Sequence, residues 1–389
     1  MADHPPRLAR RAQAIPPFIV MDVIDRAVEM TKAGEDVIML AVGEPDFPTP
    51  ACIVAAAVRA LRQGKTKYTH SQGIPPLREA IAEDYRRRYG VAFSPDRIIV
   101  TPGSSPALFL VFSGLLEPGD EIILSDPGYP CYQNMIEYLG GVAVRVPVFE
   151  SDGFQYRPEM IREKITGRTK AVLVNSPGNP TGNLLDAGRM REIAGLGPLV
   201  ISDEIYHGLV YAGREHSILE FTDRAVVVNG FSKRYSMTGW RVGYTVLPPE
   251  MVRPLQKVQQ NFFISTGDFV QWAALAALKE AEPEVERMRA VFDRRRRLMI
   301  SGLRSLGFGL TVEPTGAFYV LANARRFSPD SYRLAFDLLE QAKVGVTPGV
   351  DFGPNTEGYL RFSYAAGEDQ IEEGLRRLER FLETLPAAK

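Results

Sequence analysis

Several short segments carry side chains able to do chemistry, and each directly follows an apolar, β-branched run. In "AVVVNGFSK" the run ends at Ser232 and Lys233, and Arg241 stands eight residues further on. A cation beside a buried strand end is costly without a partner, so this pair either sits on a surface loop or faces something anionic and electrophilic. After "LVIS" come Asp203, Glu204 and Tyr206, and an acid in that place needs a cation or hydrogen-bond donors. After "AVLVNSP" comes Gly178-Asn179-Pro180-Thr181-Gly182, where Asn179 offers an amide, although such a turn needs no function to explain it. After "EIILSDP" comes Gly128-Tyr129-Pro130, an aromatic on a turn, suited to stacking on a flat ring or simply to packing. After "IIVTP", Gly103, Ser104 and Ser105 open an apolar helix. Free N–H groups and two hydroxyls there suit a phosphate, and plain serine capping accounts for the same residues.

One cofactor uses all of these groups together. Pyridoxal phosphate needs a lysine for its Schiff base and an acid against its pyridinium nitrogen. It also needs a phosphate cup with an arginine, a donor to the ring oxygen and an aromatic over the ring. The coincidence of all five at successive strand ends says more than any one motif.

The elements that must position them are legible as well. Candidate strands start at Arg97, Glu121, Gly141, Lys170, Pro198, Ala225 and Gly243, with helix-like segments such as "SPALFLVFSGLLE" and "YQNMIEYLG" between them. Near-continuous apolar strands separated by helices predict a three-layer αβα unit around a mostly parallel mixed sheet, with ligands bound at the carboxyl ends of the strands. Beyond Ala281 the pattern changes to a long charged helix, the segments "GAFYVLANA" and "YLRFSYA", and a final amphipathic helix. This predicts a smaller α+β domain made of residues 1–46 and 286–389, beside a large cofactor-binding domain of residues 47–285. The "RRRR" run, Arg294 to Arg297, reads as a solvated helix face, because acidic residues precede it and the charge is balanced.

The 389 residues are 45% hydrophobic and 24% charged with a formal net charge of −1, which argues against nucleic-acid or membrane-surface binding. Two cysteines make no disulfide framework or zinc site, and four scattered histidines give no metal motif, so a cytoplasmic, metal-free protein is expected. No stretch approaches the roughly 20 apolar residues of a membrane span. "GKT" at Gly64 to Thr66 lacks the upstream glycine of a phosphate-binding loop and does not follow a strand.

The order of motifs resembles the fold-type I pyridoxal-phosphate aminotransferases of class I/II, and the bacterial and archaeal aspartate aminotransferases in particular. The resemblance runs through "AVGEPDFPTP", "KYTHSQGIPPLREAI", "VTPGSSPALF", "NSPGNPTG", "ISDEIYHGLVY", "NGFSKRYSMTGWRVGY", "TPGVDFG" and "YLRFSYA". It implies that Lys233 carries the cofactor, that Asp203 faces the pyridinium nitrogen, and that Tyr206 and Asn179 hold the ring oxygen. It implies Tyr129 over the ring and Gly103, Ser104, Ser105, Ser232 and Arg241 around the phosphate. Tyr68 matches a tyrosine that reaches the phosphate of a neighbouring subunit, which implies a homodimer. Arg361 matches the clamp for the substrate α-carboxylate, with Gly43 and Asn179 nearby.

The implied reaction moves the amino group of an L-amino acid to a 2-oxo acid, with 2-oxoglutarate the default acceptor. Two departures bear on the donor. Ser105 stands where some relatives carry lysine, and no arginine lies between Arg253 and Arg287, where some aspartate enzymes place a second clamp. Phe262 and Phe263 stand there instead and read as core or dimer packing. Alanine and aromatic donors, a C–S lyase on the same cofactor, and a ligand-sensing domain are the competing readings.

Overall fold

The computed structural model describes residues 8–385; the first seven and last four residues of the expected small domain, with His4, lie outside them. Among the described residues twelve strands follow in chain order: β1 Ile38–Met39, β2 Ile98–Thr101, β3 Glu121–Asp126, β4 Val142–Pro147, β5 Thr169–Asn175 and β6 Leu199–Asp203. Then come β7 Ala225–Gly230, β8 Gly243–Val246, β9 Tyr319–Asn323, β10 Val344–Gly345, β11 Thr347–Pro348 and β12 Tyr359–Ser363. Every strand expected in the middle of the chain forms.

A seven-stranded sheet takes the order β2-β8-β7-β6-β5-β3-β4. The four pairings from β7 through to β4 are parallel, while β8 runs against both of its neighbours. Successive residues of these strands feed opposite faces, as the two-residue period of a strand requires. Ile98, Val100, Ile123, Val172, Val200 and Val227 pack under the helices Ala51–Arg62, Pro75–Tyr89 and Asp268–Glu280. Ile99, Ile122, Leu173, Ile201, Val226 and Val228 pack under Ser104–Leu115, Pro130–Tyr138 and Pro249–Phe262. Burying one such side chain contributes roughly 1.5–3 kcal/mol, so a charge at any of these positions would break the layer. Both faces are covered, which is why the strands read as unbroken apolar runs.

A second core forms around the antiparallel sheet β11-β12-β9, with β1 pairing β10 beside it. Leu40, Phe292, Met299, Phe318, Leu360 and Phe362 belong to it. The helix Glu282–Ser305 joins the two cores without a break: Val285 and Met288 belong to the first and Phe292 and Met299 to the second.

That helix corrects the reading of the arginine run. Arg294 and Arg297 do face water, but Arg295 and Arg296 are buried. The helix lies across the seam between the cores, so two of four consecutive side chains must point inward. Arg295 is neutralised by Asp46 at 2.7 Å and lies over the Phe47 ring. Arg296 pairs with Asp293 at 2.8 Å and donates to the Pro314 carbonyl at 3.1 Å. No described helix is long and apolar enough to cross a membrane.

Candidate active site

Parallel pairing places the carboxyl ends of β3, β5, β6 and β7 on one edge of the sheet. Because β8 is antiparallel, its amino end, preceded by Arg241, arrives at the same edge. A cavity of about 380 Å³ opens there. Gly43, Ser104, Ser105, Tyr129, Asn179, Asp203, Tyr206, Ser232, Lys233, Arg241 and Arg361 all line it, brought together from positions up to 318 residues apart in sequence. Two expected residues do not. Gly103 lies just behind the lining, and Tyr68 is 81% exposed on the outer surface of its own chain.

Gly103 shows how closely the phosphate side is built. It caps the helix Ser104–Leu115 at φ 108°, and a Cβ there would lie 2.5 Å from Arg241 Nη2. Gly243 at the start of β8 is as tight, since a Cβ would meet Ser104 N at 2.7 Å. A guanidinium is thereby held against the positive end of a helix, an arrangement that repels unless an anion lies between. Arg241 donates to the Thr238 carbonyl at 2.9 Å and makes no ion pair among the described residues. Ser104 and Ser105 in the first turn and Ser232 add hydroxyls. The donor set fits a phosphate.

Asp203 ends β6 and is buried. Its Oδ2 accepts from the Tyr132 hydroxyl at 2.6 Å and its Oδ1 from the Ile205 N–H at 3.1 Å. Burial pushes its carboxyl up to about 6, with those two donors pulling it back. Glu204, the next residue, turns to the other side. It takes hydrogen bonds from Tyr85, Ser217 and the Ile218 N–H, away from the cavity. Residue type alone does not separate these neighbouring acids, although the resemblance singles out Asp203; the turn of the chain at the end of β6 sends one into the cavity and the other away from it.

Lys233 Nζ donates to the Gly43 carbonyl at 2.6 Å. Desolvation pulls its ammonium down to about 8; Glu44 opposes this, while Arg241 and Arg361 assist it. The amine is therefore partly neutral near physiological pH, as a nucleophile or proton carrier must be.

Arg361, on β12, is 2% exposed and enters from the other core. Its Nη1 donates to Asn179 Oδ1 at 2.9 Å, and its Nη2 to the Ala41 carbonyl at 2.7 Å and Thr347 Oγ1 at 3.1 Å. Its guanidinium lies 4.3 Å from the Tyr319 ring centroid. Nε is buried without a partner. A fixed, half-satisfied guanidinium in a cavity is suited to receive a carboxylate. Asn179 is held in turn through its own N–H, which donates to Asn175 Oδ1 at 2.8 Å.

Tyr132, Tyr319, Glu44 and Thr238 also line the cavity and were not singled out from sequence. Tyr319 shares a hydrogen bond with Tyr206 at 2.9 Å between hydroxyls, and Thr238 bonds Glu44. Phe18, Val20, Met21, Ile24 and Leu108 give the cavity an apolar wall.

A seven-stranded mixed sheet, a small antiparallel sheet and this edge of strand ends together define a fold-type I aminotransferase. The chain belongs to the family of class I and II aminotransferases, whose pattern matches residues 35–378. It is 42% identical to an aspartate/prephenate aminotransferase of Thermus thermophilus, over 96% of this chain and 98% of that protein. It is also 42% identical to a (5-formylfuran-3-yl)methyl phosphate transaminase of Methanocaldococcus jannaschii, over 96% and 99%. The crystal structure of the Thermus thermophilus aspartate aminotransferase with maleate superposes with a TM-score of 0.93 at 41% identity, covering 97% of this chain and all of that one.

Proposed function

We propose that this aminotransferase uses pyridoxal phosphate to move the amino group of an L-amino acid to a 2-oxo acid, with 2-oxoglutarate as acceptor, in the manner of the aspartate aminotransferases. The observation that carries this is one cavity holding a partly neutral lysine, a buried carboxylate, an arginine without an ion pair at a helix N-terminus, and a second, fixed arginine.

In this reading Lys233 holds the aldehyde carbon of the cofactor. Ser104, Ser105, Ser232, Arg241 and the N–H groups after Gly103 hold its phosphate. Asp203 faces its ring nitrogen, Asn179 and Tyr206 its ring oxygen, and Tyr129 its face. When bound, the cofactor supplies an electron-withdrawing ring that stabilises negative charge at the substrate Cα. Asp203 keeps a proton on that nitrogen. Arg361 grips the substrate α-carboxylate in a bidentate pair, so that the Cα–H bond is presented to Lys233. Lys233, set free when the substrate amine takes its place on the aldehyde carbon, would take that proton and return it, because a pKa lowered to about 8 leaves its amine partly neutral. The N-terminal segment at Ile15 to Phe18 and the part bearing Arg361 close over the substrate and exclude water.

Residues 47–285 form the cofactor-binding unit of this proposal, with 1–46 and 286–389 as the second unit. The working form is a homodimer, supported by Tyr68, which stands outward where a second copy can take it up. Two unpaired cysteines support a cytoplasmic setting.

The walls favour one refinement of the donor. Among the described residues no cation lines the cavity beyond Lys233, Arg241 and Arg361, and Glu44 stands at it beside the apolar side chains. A second substrate carboxylate meets no further cation among the described residues of this chain, which favours alanine or an aromatic amino acid as donor over aspartate unless the second copy supplies one. Comparing kcat/KM for alanine, phenylalanine and aspartate, with and without 2-oxoglutarate, tests both points. Turnover without any acceptor would show a lyase instead, and a strong aspartate preference would remove the refinement.

A further inference from the structure

The geometry points to Tyr132 as a positioning residue for Asp203: its hydroxyl fixes the carboxylate in its charged form and orients it toward the cofactor nitrogen. This rests on the cofactor reading above. Tyr132 and Asp203 are 3% and 4% exposed, and their hydrogen bond is 2.6 Å long. Asp203 has no ion pair among the described residues, so its charge is held by this O–H and by the Ile205 N–H. A buried carboxylate with so few donors drifts toward its neutral form, which could not keep a proton on a ring nitrogen.

The placement has a local cause. Tyr129 is the N-cap of the helix Pro130–Tyr138, and Tyr132 lies in its first turn. Their rings meet edge to face at 5.2 Å. One short helix thus presents both an aromatic at the cavity and the hydroxyl that steadies the acid. The titratable groups around Asp203 are Tyr132, Glu204 and Lys233, with Tyr129 and Tyr206 beside Tyr132. Burial raises the acid, Tyr132 lowers it, Glu204 raises it and Lys233 lowers it. Removing the hydroxyl therefore moves the titration upward.

Tyr132→Phe removes one oxygen and leaves the ring. The affinity of the cofactor-free protein for pyridoxal phosphate, measured by equilibrium dialysis from pH 5 to 9, is the readout. The fall in affinity on acidification is expected to begin about one pH unit higher in the variant, with affinity at pH 7 lower by roughly tenfold. The cofactor phosphate titrates alike in both proteins, so the difference between the profiles reports Asp203. In an Asp203→Asn background the same change should cost less than about twofold, because the charge it serves is gone. An unshifted profile, or an equal loss in the Asn background, would overturn the inference and leave Tyr132 as packing. Wild-type protein that binds no pyridoxal phosphate would bring down the cofactor reading, and this inference with it.

Discussion

Burial moves Asp203 and Lys233 toward neutrality from opposite sides, the acid up to about 6 and the amine down to about 8. The shift suits Lys233, whose amine has to move a proton near pH 7, and works against Asp203, whose charge is kept by the Tyr132 hydroxyl and the Ile205 N–H. The lysine yields a direct prediction. In cofactor-free protein, the neutral form of Lys233 grows as pH rises through about 8 instead of 10.5. Labelling by an amine reagent, followed on the Lys233 peptide by mass spectrometry, should show a midpoint near 8; a midpoint above 10 would contradict the cavity's electrostatics. At this scale sequence reading reached most of the polar side chains that line the cavity, because Lys233, Asp203 and Asn179 sit at the ends of apolar runs, on the edge of the sheet where the cavity opens. It missed Tyr132 and Tyr319, whose hydroxyls hydrogen-bond partners 71 and 113 residues away. No local pattern marks a tyrosine whose hydroxyl bonds a side chain so distant in sequence.

Among the elements, the helix Ile19–Lys32 stands out because the residue at its start is not its own cap. Phe18 makes no side-chain cap bond; instead Asp351, far along the chain, accepts from the Ile19 and Val20 N–H groups at 3.1 and 3.3 Å. Phe18 packs edge-on against Tyr129, with ring centroids 5.8 Å apart. The Asp351 side chain thus pins the N-terminal segment over the cavity. Asp351→Ala removes an N-cap acceptor and should cost about 1 kcal/mol of stability. It should also raise KM for the amino acid several-fold while changing kcat less, because it loosens the cover and leaves the reacting groups in place. Thermal unfolding and steady-state kinetics check the two parts; an unchanged KM would mean that this segment does not cover the substrate. The strands were legible in sequence and this tether was not, for the same reason: strands follow a two-residue period, whereas a side chain reaching across 332 residues has no period. The arginine run failed similarly. Its composition suggested a wet face, and only the path of the helix between two cores sends Arg295 and Arg296 inward.

At the scale of the whole molecule, the site draws on both cores, with Arg361 from the second and Lys233, Asp203 and Arg241 from the first sheet's edge. The outward Tyr68, together with Phe262 at 69% exposure, suits a face shared with a second copy. Sedimentation velocity at micromolar concentration should find a dimer, and Tyr68→Phe should weaken pyridoxal phosphate binding by roughly five- to tenfold through a lost hydrogen bond. A stable monomer with full activity would oppose this. The central claim is that these residues make a transaminase, and its most direct test needs no acceptor. Protein reconstituted with pyridoxal phosphate is mixed with a panel of L-amino acids, and the absorbance of the lysine-bound cofactor is followed. The account predicts that at least one amino acid converts that band stoichiometrically to pyridoxamine phosphate with release of its 2-oxo acid, and that Lys233→Ala, which cannot form the band, yields pyridoxamine phosphate more slowly by on the order of 10³-fold or more. A band that no amino acid discharges, or a Lys233→Ala variant that yields pyridoxamine phosphate at the wild-type rate, would contradict it.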